Sequence, residues 1–265
     1  MRASLIRDLL TLSCVLLLAE EWSDSHESLP IDSNIWLIVV ILVMILVWGI
    51  PLAPALMYYD WVTGLFDVQS DWGNALLTGL AFSSSAIVYS FSLLTFSASL
   101  QFILHVRIKE KTVVPLASFS TIRWAFCGQI LRATQPVLQH FVPSFVSNIY
   151  YRVCGAKIGK NTQINTHRLN DPCLIRIDDD CVIGGGATFN GHLVEKGQMV
   201  FAPIHMEKGS LVGTGAIVQP GVTVGADAVV ASEALIPKYR TIPAGEVWGG
   251  LPAKLIRSSS VREES

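Results

Sequence analysis

MEKGSLVGTGAIVQPGVTVGADAVVASEALI, residues 206–236, carries the most regular pattern in the chain. An aliphatic or thioether residue returns at every sixth position: Met206, Val212, Val218, Val224, Val230 and Ile236. Four places after each of the first five stands a small or β-branched residue, namely Ser210, Ala216, Val222, Ala228 and Ala234. A helix repeats every 3.6 residues and an alternating strand every 2, so neither produces this beat. A hexapeptide repeat does. Each unit then forms one flat side of a triangular coil, and residues eighteen apart stack. Val224 is expected over Met206, Val230 over Val212 and Ile236 over Val218. Pro220-Gly221 suits a corner, because proline fixes φ and glycine tolerates positive φ.

Working outward, the same beat appears at Ile158 and Ile164, then at Ile177, Ile183 and Phe189. Phe189 and Met206 are seventeen apart, one short of a full coil, so residues 190–204 leave the regular path or reset its register. The parallel β-helix is expected over 153–257, with about four coils. Residues 258–265 read as a disordered tail.

The front of the chain has a different composition. Hydrophobic residues make up 51% of the whole and charged residues 15%, a balance that leans toward membrane insertion. Up to Val106 there are two basic and nine acidic residues; the remainder carries seventeen basic and twelve acidic, so a total charge of −2 hides a divided molecule. No nucleic-acid partner is expected. The five cysteines form no CxxC pair, which argues for buried reduced thiols over a disulfide framework or a zinc site.

Residues 1–34 read as an interfacial segment, with an apolar run at 9–19 too short to span a bilayer comfortably. Residues 35–111 read as a two-helix transmembrane hairpin. Its first helix is expected over 35–57 with Tyr58, Tyr59 and Trp61 at one margin, and its second over 75–106, where small polar residues suit packing inside a membrane. Between them lies an acidic loop, 60–74. Arg107, Lys109 and Lys111 mark the cytoplasmic side, so an integral membrane protein with a cytoplasmic β-helix is expected. Residues 112–152, apolar but broken by Pro115, Pro136 and Pro143, read as helices on the membrane surface or over the mouth of the prism, with a re-entrant hairpin as the alternative.

His192 stands in the one interruption of the repeat, in Asn190-Gly191-His192-Leu193-Val194. A loop histidine beside glycine, next to a solenoid face, is placed to act as a general base. At the same point the chain resembles a known family. Gly197-Gln198-Met199-Val200-Phe201-Ala202-Pro203-Ile204, the hexapeptides after it, and Gly250-Leu251-Pro252-Ala253-Lys254 are similar to the hexapeptide-repeat acyltransferases, which include the galactoside, maltose and antibiotic acetyltransferases. The resemblance implies a left-handed parallel β-helix, a homotrimer, and an acyl-CoA or carrier-protein-bound thioester as donor. It makes His192 the base that deprotonates an acceptor hydroxyl or amine, with Asn165 one coil earlier aiding the reacting centre. It maps donor contacts onto Gly213, Thr214, Ser232, Lys238 and Lys254. The segment Val230-Ala231-Ser232-Glu233-Ala234 departs from the family's Gly-rich pattern through Glu233.

Arg123-Trp124, Gly155-Ala156-Lys157-Ile158-Gly159 and residues 242–250 resemble, together with the apolar helices, the membrane-embedded C-terminal region of ε-polylysine synthetase-type peptide synthetases. That likeness implies a carrier-bound aminoacyl donor, with a carrier protein or adenylating enzyme as partner. Two other readings stay open. One is a catalytically silent scaffold that trimerises at the membrane. The other is a γ-carbonic anhydrase-like zinc enzyme using His167, His192 and His205, although the close histidine pair of that class is missing. The leading reading expects no metal.

Overall fold

The computed structural model describes residues 33–104, 108 and 110–259. The interfacial segment at 9–19, Arg107 and Lys109 of the basic cluster, and the tail from 260 onward lie outside the described residues. Two helices come first, α1 (Ser33–Gly64) and α2 (Asp71–Leu104), packed along each other. Both are longer than their apolar runs suggest. α1 continues through Asp60 because nothing breaks it before Gly64, and Pro51 and Pro54 sit within it. The acidic loop therefore shrinks to residues 65–70. At a rise of 1.5 Å per residue each helix is roughly 50 Å long, well above the ~30 Å hydrocarbon core. By length and composition both can cross a membrane. Leu37, Ile41, Leu52, Leu56, Leu80 and Phe82 on them are exposed in the isolated chain.

Residues 112–152 hold a strand as well as helices. β1 (Thr112–Pro115) is followed by α3 (Phe119–Leu138) and α4 (Phe145–Val153). Ser118 opens α3 by accepting the Thr121 N–H, and Ser144 with Ser147 forms a capping box on α4. α4 lies against the first coil: Tyr150 and Tyr151 share a buried cluster with Leu94 and Ala98 of α2 and with Ile164, Leu169 and Ile183 of the prism. The Tyr151 hydroxyl donates to the Thr166 carbonyl at 3.3 Å. One core thus runs without a break from the apolar hairpin into the β-helix.

The hexapeptides build three parallel ladders. Ile158, Ile177, Met206, Val224 and Ile242 stack on one face. Ile164, Ile183, Val212, Val230 and Trp248 form the second, and Leu169, Phe189, Val218 and Ile236 the third. The six aliphatic positions from Met206 to Ile236 are fully buried, and so, within 1%, are Ser210, Ala216, Val222, Ala228 and Ala234. The corner backbone explains the glycines. Gly209, Gly215 and Gly221 have positive φ, and a Cβ on each would strike the side chain of Asp227, Glu233 or Tyr239, eighteen residues on and also at positive φ. The coil continues past Ile242 to Trp248, where β16 (Val247–Gly250) and the antiparallel β17 (Ala253–Arg257) close the end, with Arg240 over the Trp248 ring at 4.6 Å.

The register between Phe189 and Met206 differs from the sequence reading. Met206 stacks on Ile177 and occupies the next face after Phe189, a step of six that the chain makes in seventeen, so eleven residues are inserted. They form an antiparallel hairpin, β7 (His192–Glu195) and β8 (Gln198–Phe201), and β1 adds to its β8 edge. A count that expected a full coil could not separate a deletion from this excursion.

Ile183 is fully buried between Ile164 and Val212. Truncation to Ala should lower unfolding free energy by about 2–5 kcal/mol, read by chemical denaturation. A loss below about 1 kcal/mol would show that the ladder is not the core of the molecule.

Candidate active site

The hairpin leaves the prism at the corner after the third face. There the Asn170 amide donates to Asn190 Oδ1 at 2.7 Å, and the Gly191 carbonyl accepts from the Ala202 N–H as the chain returns. His192 is the first residue of the excursion. Its Nδ1 lies 2.7 Å from Asp171 Oδ2, and its side chain is about a quarter exposed. Asp171 is nearly fully buried. Besides His192, it accepts from the Gly191 N–H on Oδ2 and from the Trp124 indole N–H on Oδ1, each at 2.7 Å. Three donors satisfy a carboxylate that burial alone would penalise. An ionised carboxylate only accepts, so Nδ1 carries the hydrogen, and in the neutral imidazole Nε2 is then the nitrogen with the lone pair. Gly191 is required here: a Cβ would lie 2.7 Å from Leu174.

Trp124 covers the pair. Its ring centroid is 4.3 Å from that of His192 and 6.0 Å from that of Phe201. Sequence reasoning missed Asp171, which stands 21 residues from His192 just before the short 3-10 turn Pro172–Leu174, with no repeat or motif to mark it. Trp124 entered only through a resemblance. The sequence signal that could have found Asp171 is a lone acidic residue in the break between two hexapeptide runs.

The remaining site residues fall on two corners. Gly213, Thr214 and Ser232 line the corner after the second face: a Cβ on Gly184 would meet the Thr214 N at 2.4 Å, and one on Gly213 the Ser232 N at 2.5 Å. Asn165 heads this column, its N–H bonded to the Ile183 carbonyl, and Lys254, on β17 opposite Gly249 of β16, ends it. The Glu233 carboxylate turns back over Gly215 in the same column. Lys238 is elsewhere. It lies near the corner that carries the hairpin, with Nζ 2.7 Å from Glu195 Oε2. That hydrogen bond, with the charge of Lys238, holds the Glu195 carboxyl below its ordinary range. Lys111 and Lys238 sit 4.2 and 5.8 Å from the centroid of the Tyr239 ring. One side of the prism is at most about six residues, or ~20 Å of strand, so His192 and the glycine column are about one side apart within a chain.

The other two histidines of the zinc reading, His167 and His205, have separate surroundings. His205 on β9 (Ile204–Met206) has Nε2 2.8 Å from Asp178 Oδ2, while Arg176 Nε is 3.0 Å from Oδ1. Burial would raise the Asp178 carboxyl, but these hydrogen bonds and the nearby charges outweigh it and hold it below the ordinary value. His167 is pushed down by burial and then by Arg168. Among the described residues no three His, Cys, Asp or Glu side chains converge as a metal-binding group. Burial pushes the Cys127 and Cys154 thiols up to about 12, so both are protonated at neutral pH.

No family model matches the chain. It is similar to the delta-poly-L-ornithine synthetase of Acinetobacter baumannii (strain AB307-0294), with 27% identity over 162 residues, which is 58% of this chain and only 12% of the synthetase. The chain thus corresponds to a small part of that relative's length. Among solved structures it is similar to a hexapeptide-repeat acetyltransferase of Vibrio cholerae complexed with acetyl coenzyme A, at 22% identity and a TM-score of 0.40 over 48% of this chain and 86% of the other. It is also similar to a galactoside acetyltransferase in complex with coenzyme A, at 20% identity and a TM-score of 0.42 over 58% and 89%.

The depressed Asp178 carboxyl contributes stability that is present above the unfolded carboxylate range and is lost as pH falls through its lower folded value. Asp178→Asn should therefore lower the melting temperature near pH 7 and reduce the difference from wild type as the pH drops below about 4, read by thermal melts across pH. An equal difference at every pH would remove the ionic contribution.

Proposed function

We propose that this chain is a membrane-anchored acyl or aminoacyl transferase in which His192 is the general base. The observation that carries this reading is the Asp171–His192 pair, in which a buried carboxylate fixes the imidazole with Nε2 free at a partly exposed position. Nε2 takes a proton from an acceptor hydroxyl or amine. The acceptor's oxygen or nitrogen bonds to the thioester carbonyl carbon, the C–S bond breaks, and His192 returns the proton to the departing sulfur. Asp171 keeps the tautomer and stabilises the transient imidazolium.

The donor is a thioester of coenzyme A or of a carrier protein. Gly213, Thr214, Ser232 and Lys254 would hold it, and the fit rests on the corner at Gly185 and Gly186, where an added Cβ would meet nothing closer than 3.9 Å. Asn165, at the head of that column, would bond to the reacting carbonyl. Lys238 would attract a phosphate from the hairpin side. Glu233 adds a negative charge along the column, which supports a donor carrying few phosphates there. Because His192 and the column lie on different corners, a second copy must bring its column to the first copy's imidazole. A homotrimer does this three times over. α1 and α2 anchor the assembly in the bilayer, with the β-helix on the cytoplasmic side. The similarity to part of a delta-poly-L-ornithine synthetase supports an amine acceptor; in that reading the donor is a carrier-bound aminoacyl group supplied by an adenylating enzyme.

His192→Ala in the purified full-length protein should reduce transfer from acyl-CoA or carrier thioester by about 10²–10⁴-fold while leaving the oligomer intact on size-exclusion chromatography. Unchanged turnover would remove the base mechanism, and a wild-type protein that transfers from neither thioester would leave a scaffold.

A further inference from the structure

We infer that Trp124 is a positioning residue for the His192 base, and that through it the cytoplasmic end of α2 is built into the active site. This rests on the proposed role of His192. The links are direct hydrogen bonds. Arg123 is buried, and its Nε donates to the Leu104 carbonyl at 2.7 Å, with an Nη2 contact to the Ile103 carbonyl at 3.4 Å. Those carbonyls belong to the last turn of α2, where helical hydrogen bonding runs out and the dipole end is negative, so a guanidinium is well placed. One turn along α3, the Cys127 carbonyl accepts from the Gln101 side-chain amide of α2 at 2.7 Å. Between these clamps stands Trp124, donating to Asp171 Oδ1.

Electrostatics gives the indole more than a packing role. Asp171 distributes one negative charge over its donors, and the indole N–H competes with the imidazole N–H for it. Without that N–H, the carboxylate has more charge to offer Nδ1 and the imidazolium becomes the more stable form. The titratable and charged groups on elements around His192 are Asp171 before the 3-10 turn, Cys173 on it, Arg123 and Cys127 on α3, Glu195 on the same strand, and Lys111 just before β1. Asp171 is the one whose side chain hydrogen-bonds the imidazole at 2.7 Å.

The test reads the histidine without any substrate. Diethyl pyrocarbonate acylates neutral imidazole, so the pH dependence of His192 labelling, followed on its peptide by mass spectrometry in the detergent-solubilised full chain, gives its titration midpoint. Trp124→Phe keeps a ring against Phe201 but lacks the N–H. Its midpoint should rise by about half a pH unit or more relative to wild type, and Asp171→Asn should lower it. In the Asp171→Asn background Trp124→Phe should shift nothing further, because the effect passes through the carboxylate. A thermal melt is the folding control, and Trp124→Tyr serves if Phe lowers the melt. In turnover, Trp124→Phe should lower kcat several-fold at unchanged KM. A midpoint that stays at the wild-type value, or one that moves equally in both backgrounds, overturns the inference. Labelling that behaves as expected in a protein without any transfer activity would overturn the proposed function instead.

Discussion

Every coil of this β-helix must return to the same three faces, and that constraint governs where anything else can happen. A residue inserted along a face would turn a fully buried aliphatic such as Val212 or Val218 away from its ladder. At a corner the backbone already turns outward, and an insertion there costs the ladders nothing. The eleven-residue excursion leaves from such a corner, beside the Asn170–Asn190 hydrogen bond, and its first residue carries the imidazole. The site lies outside the prism because the prism has no room inside it.

The same logic joins the apolar hairpin to the His192 corner. A short solenoid has two open ends. One end is closed by β17 and the Trp248 indole, the other by α4, whose tyrosines lie in one cluster with Leu94 and Ala98 of the apolar hairpin. Once α4 and α3 are fixed on the first coil, α3 presents Trp124 to Asp171 at a depth where an unpartnered carboxylate would be costly. The apolar hairpin, α4 and the corner that carries His192 are one packed unit. Losing the order of α2 would therefore reach His192.

The β-helix was legible because its signal is periodic: an inward position every six residues leaves its mark whatever the rest of the unit holds. The end of the hairpin was less so. Residues 58–64 look like a margin by composition, yet α1 runs on through them to Gly64. His192 was legible as the histidine in the break. Asp171 was not, because its role comes from a contact between two irregular segments that no local pattern encodes. The grouping of Gly213, Thr214, Ser232 and Lys254 into one column, with Lys238 on another corner, follows from counting in sixes, but only after the inserted hairpin has been removed from the count.

The most direct measurement is an experimental structure of the full-length oligomer in lipid, determined with a non-hydrolysable thioether analogue of the acyl donor. The account predicts the analogue lying along the Gly184–Gly213 corner of one copy, with its carbonyl carbon within about 4 Å of the imidazole of the neighbouring copy's His192. An analogue bound on a different face, or a His192 imidazole sealed off from the seam between copies, would contradict it.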